Sequence, residues 1–208
     1  MEGHESKQMD ILVTNDVSPR FDLGEKSFAC VDGAIAVVSI RSDLDKRELF
    51  EALDNIASVP RKRPLNAFGL VSDVRFTDGT ITRNIEIPHY NEWPFKMIYS
   101  ARGPQLETLM KNLMEYCETH NERPANVFPN MIHVGEEYSV IRTLPGQMMQ
   151  HADGQFEEMP KGWGTNVAQG PAFHLQYAIQ NIQRNAVASQ FILFEYEEMM
   201  KRAVYPNG

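Results

Sequence analysis

Cysteine is scarce in this chain: among 208 residues only Cys30 and Cys117 occur. They lie far apart and outside any CxxC spacing, which excludes a disulfide framework and a zinc ribbon and leaves two reduced thiols in or near the core. Long apolar runs are missing as well. No segment approaches the roughly 20 residues that cross a bilayer, and the opening MEGHESKQMD lacks the apolar centre of a secretory signal, so a cytoplasmic address without a membrane partner is expected. Positive charge is in deficit, with 20 Lys and Arg against 28 Asp and Glu leaving a net charge of −8. Phosphate binding is driven largely by Lys and Arg displacing counterions, so this balance disfavours indiscriminate coating of nucleic acid while still allowing a local basic groove. The 6 histidines show no HxH, HExxH or H-x₃₋₅-H spacing. With no GxSxG, GxGxxG or GxxxxGK[ST] either, zinc-enzyme, hydrolase-elbow, dinucleotide and P-loop readings lose their support.

What is present is an ordinary globular composition, 42% hydrophobic and 23% charged, in an order that predicts a mixed α/β sheet flanked by helices in one domain over 1–208. A short strand at Met9 to Thr14 ends in the turn cluster Asn15-Asp16-Val17-Ser18-Pro19. The near-continuous apolar run from Ala34 to Val38 predicts a central strand covered on both faces, with a bend or bulge at Asp32-Gly33. A helix follows: Asp45 is its cap, Glu48 its capping-box partner, Leu49, Leu53, Ile56 and Ala57 share one face, and Pro60 ends it. Residues 61–93 read as an inserted hairpin turning at Asp78-Gly79. The core resumes over 94–143 with a strand at Pro94 to Ser100, a helix at Gln105 to His120, and strands at Asn130 to Val134 and Tyr138 to Thr143. Gly146 to Gly170 reads as a long irregular loop. Two late helical patterns, broken around Asn185 to Ser189, are expected over 171–203.

The informative constellation lies near the amino terminus. Gly3, Ser6, Gln8 and Asp10 lead the first strand, and Cys30-Val31-Asp32-Gly33-Ala34-Ile35-Ala36-Val37-Val38-Ser39-Ile40-Arg41-Ser42 leads into the capped helix. This order resembles the restriction-endonuclease-like, or PD-(D/E)xK, nuclease superfamily. More narrowly it resembles a bacterial subfamily in which a G-x-x-S-x-Q-x-D-I strand precedes an acidic-V-x-A-V-x-E-V-K-S strand; the likeness covers about Gly3 to Pro60. The resemblance implies a nucleic-acid substrate and a Mg²⁺ ion, for which Mn²⁺ can substitute, held by an aspartate on one strand and a glutamate on the next. A lysine two residues beyond the glutamate positions or deprotonates water.

Carried over position by position, the resemblance makes Asp10 the metal carboxylate but puts Ser39 at the glutamate position and Arg41 at the lysine position. A serine hydroxyl is a poor, neutral Mg²⁺ ligand, and a guanidinium stays protonated, so Arg41 can orient a phosphate or water but cannot act as a base. Asp32 becomes a second metal carboxylate only if the strand bulges near Gly33, because an odd separation otherwise sets it on the face opposite Ser39. A superfamily core usually also has a helix before the aspartate-bearing strand, so three alternatives stay open here: the late helices cover that sheet face, a partner covers it, or the polypeptide starts downstream of the family's usual amino terminus.

Each of these residues has a plainer reading. Asp10 can accept a backbone hydrogen bond, Arg41 can pair with Asp43 or Asp45, and the basic run Arg61-Lys62-Arg63 can be a solvated loop rather than a contact for a nucleic-acid backbone. Two functions follow: a nuclease-like domain acting on or binding nucleic acid with weakened or lost hydrolysis, or a non-catalytic, immunity-type protein partner, which the acidic charge suits.

Overall fold

The computed structural model describes residues 7–16, 18, 20–23, 26–61, 76–77, 80–81, 90–144, 148–150, 154–159, 162–166 and 170–189. The chain opens with β1 (Ile11–Thr14), the paired strands β2 (Arg20–Leu23) and β3 (Lys26–Ala29), and a 3₁₀ turn over Val31–Gly33 leading into β4 (Ala34–Arg41) and α1 (Lys46–Ala57). A small ladder of β5 (Phe76–Thr77) and β6 (Thr80–Ile81) follows, then β7 (Phe95–Ser100), α2 (Leu106–Thr119), β8 (Met131–Val134) and β9 (Tyr138–Arg142). The last described elements are β10 (Met148–Gln150), β11 (Phe156–Glu158), β12 (Trp163–Asn166) and α3 (Gly170–Ser189).

Six strands form one mixed sheet in the order β1-β4-β7-β8-β9-β12. Strands β4, β7 and β8 run parallel, as covered crossovers through α1 and α2 require, while β1, β9 and β12 pair antiparallel at the flanks. The run Ala34 to Val38 is buried on both faces, as its composition predicts. One face carries Val37, Ile98, Ile132 and Val140 against Leu49, Leu53 and Ile56 of α1 and Leu109, Leu113 and Tyr116 of α2. The other carries Ala36, Val38, Phe95, Met97 and Met131 against Ala178, Tyr177 and Ile182 of α3. The late helix therefore covers the sheet face that a helix before the first strand would otherwise take.

The structure departs from the sequence reading at two places. The stretch from Gly146 to Gly170 contains β10 paired with β11 and, in β12, an edge strand of the main sheet bonded to β9. Three- and four-residue strands carry too little periodicity to be seen from sequence. The late helix runs unbroken through Asn185 to Ser189, because Asn185 and Ser189 are buried rather than at a solvent break; residues 190–203 lie outside those described. In the expected hairpin, Phe76 pairs with Ile81 and Thr77 with Thr80, and the remainder of its two strands lies outside the described residues.

Candidate nuclease-like site

The site is set by the pairing of β1 with β4. Ile11 lies opposite Val38, and the Asp10 amide donates to the carbonyl of that same Val38 at 3.2 Å, so the register shifts at Asp10, which stands just before β1 beside the carboxyl half of β4. Side chains alternate along β4: Ala36 and Val38 face α3, while Val37 faces α1. Ser39 and Arg41 follow Val37 on that face. Asp10 thus meets Arg41 at the carboxyl end of β4, and the Ser39 hydroxyl bonds to neither.

Asp10 Oδ2 accepts the backbone N–H of Ile40 at 2.6 Å and stands 3.7 Å from Arg41 Nη1. The Arg41 guanidinium donates from Nη1 to the Ile40 carbonyl at 2.8 Å, and its Nε lies 3.2 Å from Glu48 Oε2. One cation therefore stands between two carboxylates; its side chain is 16% exposed, against 42% for Asp10 and 26% for Glu48. Ser39 is 1% exposed, and its Oγ has no hydrogen-bond partner among the described residues.

Glu48 is the member of this group that sequence reasoning missed. Asp45 caps α1 as expected, with Oδ1 accepting the Glu48 N–H at 2.8 Å. The reciprocal half of the capping box is replaced, since the Glu48 carboxylate reaches Arg41 and also Arg47, at 2.7 Å. The signal was present in the spacing: a first-turn acid three residues after the cap, in a helix starting just beyond β4, is close enough to meet the last residue of that strand.

Asp32 is not part of the group. It sits, 4% exposed, in the 3₁₀ turn before β4, at the end of the ladder where the Asn15 amide bonds the Gly33 carbonyl at 2.9 Å. The eight residues of β4, roughly 23 Å of extended chain, separate that turn from Arg41. The ladder is irregular there, between Val13 and Thr14, but the irregularity lies at the wrong end to bring Asp32 to Asp10. Gly33 serves packing instead: a Cβ at that position would fall 2.0 Å from Ser18 Oγ. Arg61 is exposed and follows Pro60 beyond α1. Its charge acts on Lys96 near the start of β7, whereas Arg41 pairs with Ser100 at the end of that strand. Four residues of strand, about 13 Å, separate the two levels. Lys62 and Arg63 lie outside the described residues.

A divalent ion does not fit this donor set. Mg²⁺ is held by anionic and water oxygens in near-octahedral geometry, yet here the Asp10 oxygen already accepts an amide and faces a guanidinium, Glu48 serves the same guanidinium, and the third position offers a buried neutral hydroxyl. Among the described residues no group of three or more His, Cys, Asp or Glu side chains converges on a possible ion.

No protein-family model matches the sequence, and no curated protein is detectably similar to it. Among solved structures, NucC of E. coli MS115-1 in its apo form aligns with a TM-score of 0.52 at 17% identity, over 86% of this chain and 68% of that one. NucC of P. aeruginosa ATCC27853 in its cAAA-bound form aligns with a TM-score of 0.51 at 13% identity, over 86% of this chain and 64% of that one. This chain thus spans less than two thirds of the P. aeruginosa protein's length. At these identities the likeness concerns architecture: the six-stranded mixed sheet between helices is the fold of NucC nucleases, in agreement with the restriction-endonuclease-like fold expected from the first 60 residues.

Proposed function

We propose that this chain is a nuclease-like domain that binds nucleic acid and has lost metal-dependent phosphodiester hydrolysis. The observation that carries this reading is the enclosure of Arg41 by Asp10 and Glu48, beside a buried Ser39, where hydrolysis calls for an acid, a metal and a lysine. Arg41 stays protonated at any relevant pH and cannot take a proton from water. Two carboxylates around one guanidinium also leave the centre with a formal charge of −1, which repels a phosphate. Backbone contacts therefore fall to the basic run Arg61-Lys62-Arg63, and direct orientation of a phosphate by Arg41 loses support.

The test is fluorescence anisotropy with labelled single- and double-stranded DNA and RNA at low salt, beside a cleavage assay in Mg²⁺ or Mn²⁺. Binding without cleavage is expected, and the Arg61→Ala/Lys62→Ala/Arg63→Ala variant should flatten the slope of log affinity against log salt by about 2 to 3. Cleavage that disappears in Asp10→Ala would overturn the loss of hydrolysis. Absence of binding to all four probes would favour a second reading, a protein-interaction module. That reading is supported by the acid surplus and by the exposed apolar side chains Ile11 and Leu12 on edge strand β1 and Leu175, Ile179 and Val187 on α3.

A further inference from the structure

We infer that a nucleic-acid backbone lies not at the nuclease-like centre but across the opposite end of the sheet, on a row of cations running from Arg61 past Lys96 and Arg142 to Arg184. The inference rests on the proposed binding of nucleic acid and says where that binding occurs. Strand β7 fixes the end in question. Phe95, its first residue, lines a cleft of about 290 Å³, open solvent included, together with Glu92, Arg142, Tyr177, Asn181 and Arg184. Arg41 pairs with Ser100, its last residue. Five residues of strand, about 17 Å, therefore separate the cleft from the centre.

The charges at this end are linked. Arg142 and Arg184 both act on the Tyr177 hydroxyl, and Arg142 and Arg61 both act on the Lys96 ammonium. Among the described residues Glu92 is the only acid lining the cleft, and Arg142 already occupies it. Four cations against one acid make a local formal charge of +3 on a chain whose net charge is −8. Lys96 and Arg142 are buried and supply charge from behind, while Arg61 and Arg184 are exposed. Arg184 Nη2 donates to Asn181 Oδ1 at 2.9 Å, which orients the guanidinium, and among the described residues no acid pairs with it.

The course of the row selects the ligand. Arg61 follows α1, which covers one face of the sheet, and Arg184 stands on α3, which covers the other. Two layer spacings of roughly 10 Å each put about 20 Å between them. A single small anion cannot reach both ends. A nucleic-acid strand places a phosphate about every 3.4 Å of axis, so about six of them span the row.

The test is fluorescence anisotropy on the full chain with a labelled ten-nucleotide single strand over a salt series. Arg102→Ala is the control, because Arg102 is exposed beyond the other end of β7 and its loss changes the net charge equally. Arg184→Ala should weaken binding about fivefold at low salt and flatten the slope of log affinity against log salt by about 1. Arg184→Glu should weaken it further, and Arg102→Ala should leave both quantities at their wild-type values. A labelled dinucleotide, too short for the row, should bind at least about tenfold more weakly than the longer strand. Circular dichroism checks that each variant is folded. Equal losses in Arg184→Ala and Arg102→Ala would overturn the inference, as would a dinucleotide that binds as tightly as the longer strand. A wild type that binds no strand at all would instead overturn the nucleic-acid reading, and the inference with it.

Discussion

The carboxylate of Asp10 ties β1 to β4 in two ways at once: Oδ2 accepts the Ile40 amide at 2.6 Å and faces Arg41 Nη1 at 3.7 Å. The backbone bond should dominate, because an ion pair with a half-exposed partner contributes under about 1 kcal/mol, whereas losing a charge-assisted acceptor for an amide costs about 1.5 to 3 kcal/mol. Asp10→Ala is therefore expected to lower unfolding stability by about 2 kcal/mol in urea titrations, and Asp10→Asn, which keeps an oxygen for the amide, by about half as much. Equal losses would show that the charge, not the backbone bond, is what matters at this position.

Ser39 gives the opposite sign. A hydroxyl with 1% exposure and no hydrogen-bond partner among the described residues carries its desolvation cost uncompensated. Ser39→Ala removes that group and leaves only a small void, so the urea midpoint should stay or rise, by up to about 1 kcal/mol equivalent. A clear fall would mean that Oγ bonds to a group not seen here, such as an ordered water.

This pair of residues also shows how far the sequence could be read. The nearness of Asp10 to Arg41 was legible because a known pattern fixed which strands are neighbours, whereas the register shift at Asp10 was not. Asp32 was misplaced because sequence shows that Gly33 bends the chain but not where along the ladder the bend falls. Glu48 was seen as a cap partner and missed as an ion-pair partner, since its destination depends on the angle at which α1 leaves β4. Strand β12 went unseen because its order in the sheet is set by a long connection and not by its own four residues. The cover supplied by α3 was one of several open alternatives, since only packing decides which face a late helix takes.

Acid should loosen the contact between β8 and α3. His133 on β8 and His174 on α3 are buried with ring centroids 5.3 Å apart, and His133 Nδ1 lies 3.0 Å from Ser139 Oγ. Burial, and for His133 also the neighbouring His174, holds both imidazoles below the usual histidine range. The folded state thus keeps them neutral while the unfolded chain takes up protons below about pH 6.5, so stability falls as pH drops from 6.5 toward 5. His174→Phe should flatten that decline in pH-dependent urea titrations. An unchanged slope would assign the acid sensitivity to other groups.

Lys96 predicts a rise at the alkaline side. The residue is 4% exposed, and its ammonium donates to the Asn126 carbonyl at 2.9 Å. Burial, reinforced by the Arg142 charge and opposed by Glu92, lowers its pKa from 10.5 to about 8. Between those values the unfolded chain holds the proton and the folded chain releases it, so stability increases with pH from about 8 toward 10.5. Below pH 8 the burial cost is present in full, about 3 kcal/mol in the limit of an unscreened interior. Tyr116 and Tyr138 act in the reverse direction above about pH 10, where unfolded phenols ionise first; burial raises both, Tyr138 to about 12. Burial also pushes the Cys117 thiol above its ordinary 9.0, which opposes the rise from about that pH upward, so the Lys96 contribution is read as the difference between wild type and variant across pH 8 to 10. Lys96→Met should be more stable than wild type at pH 7, by less than the full cost because the bond to Asn126 is lost, and should show no rise across that window. A variant that keeps the wild-type slope between pH 8 and 10 would remove Lys96 as the cause.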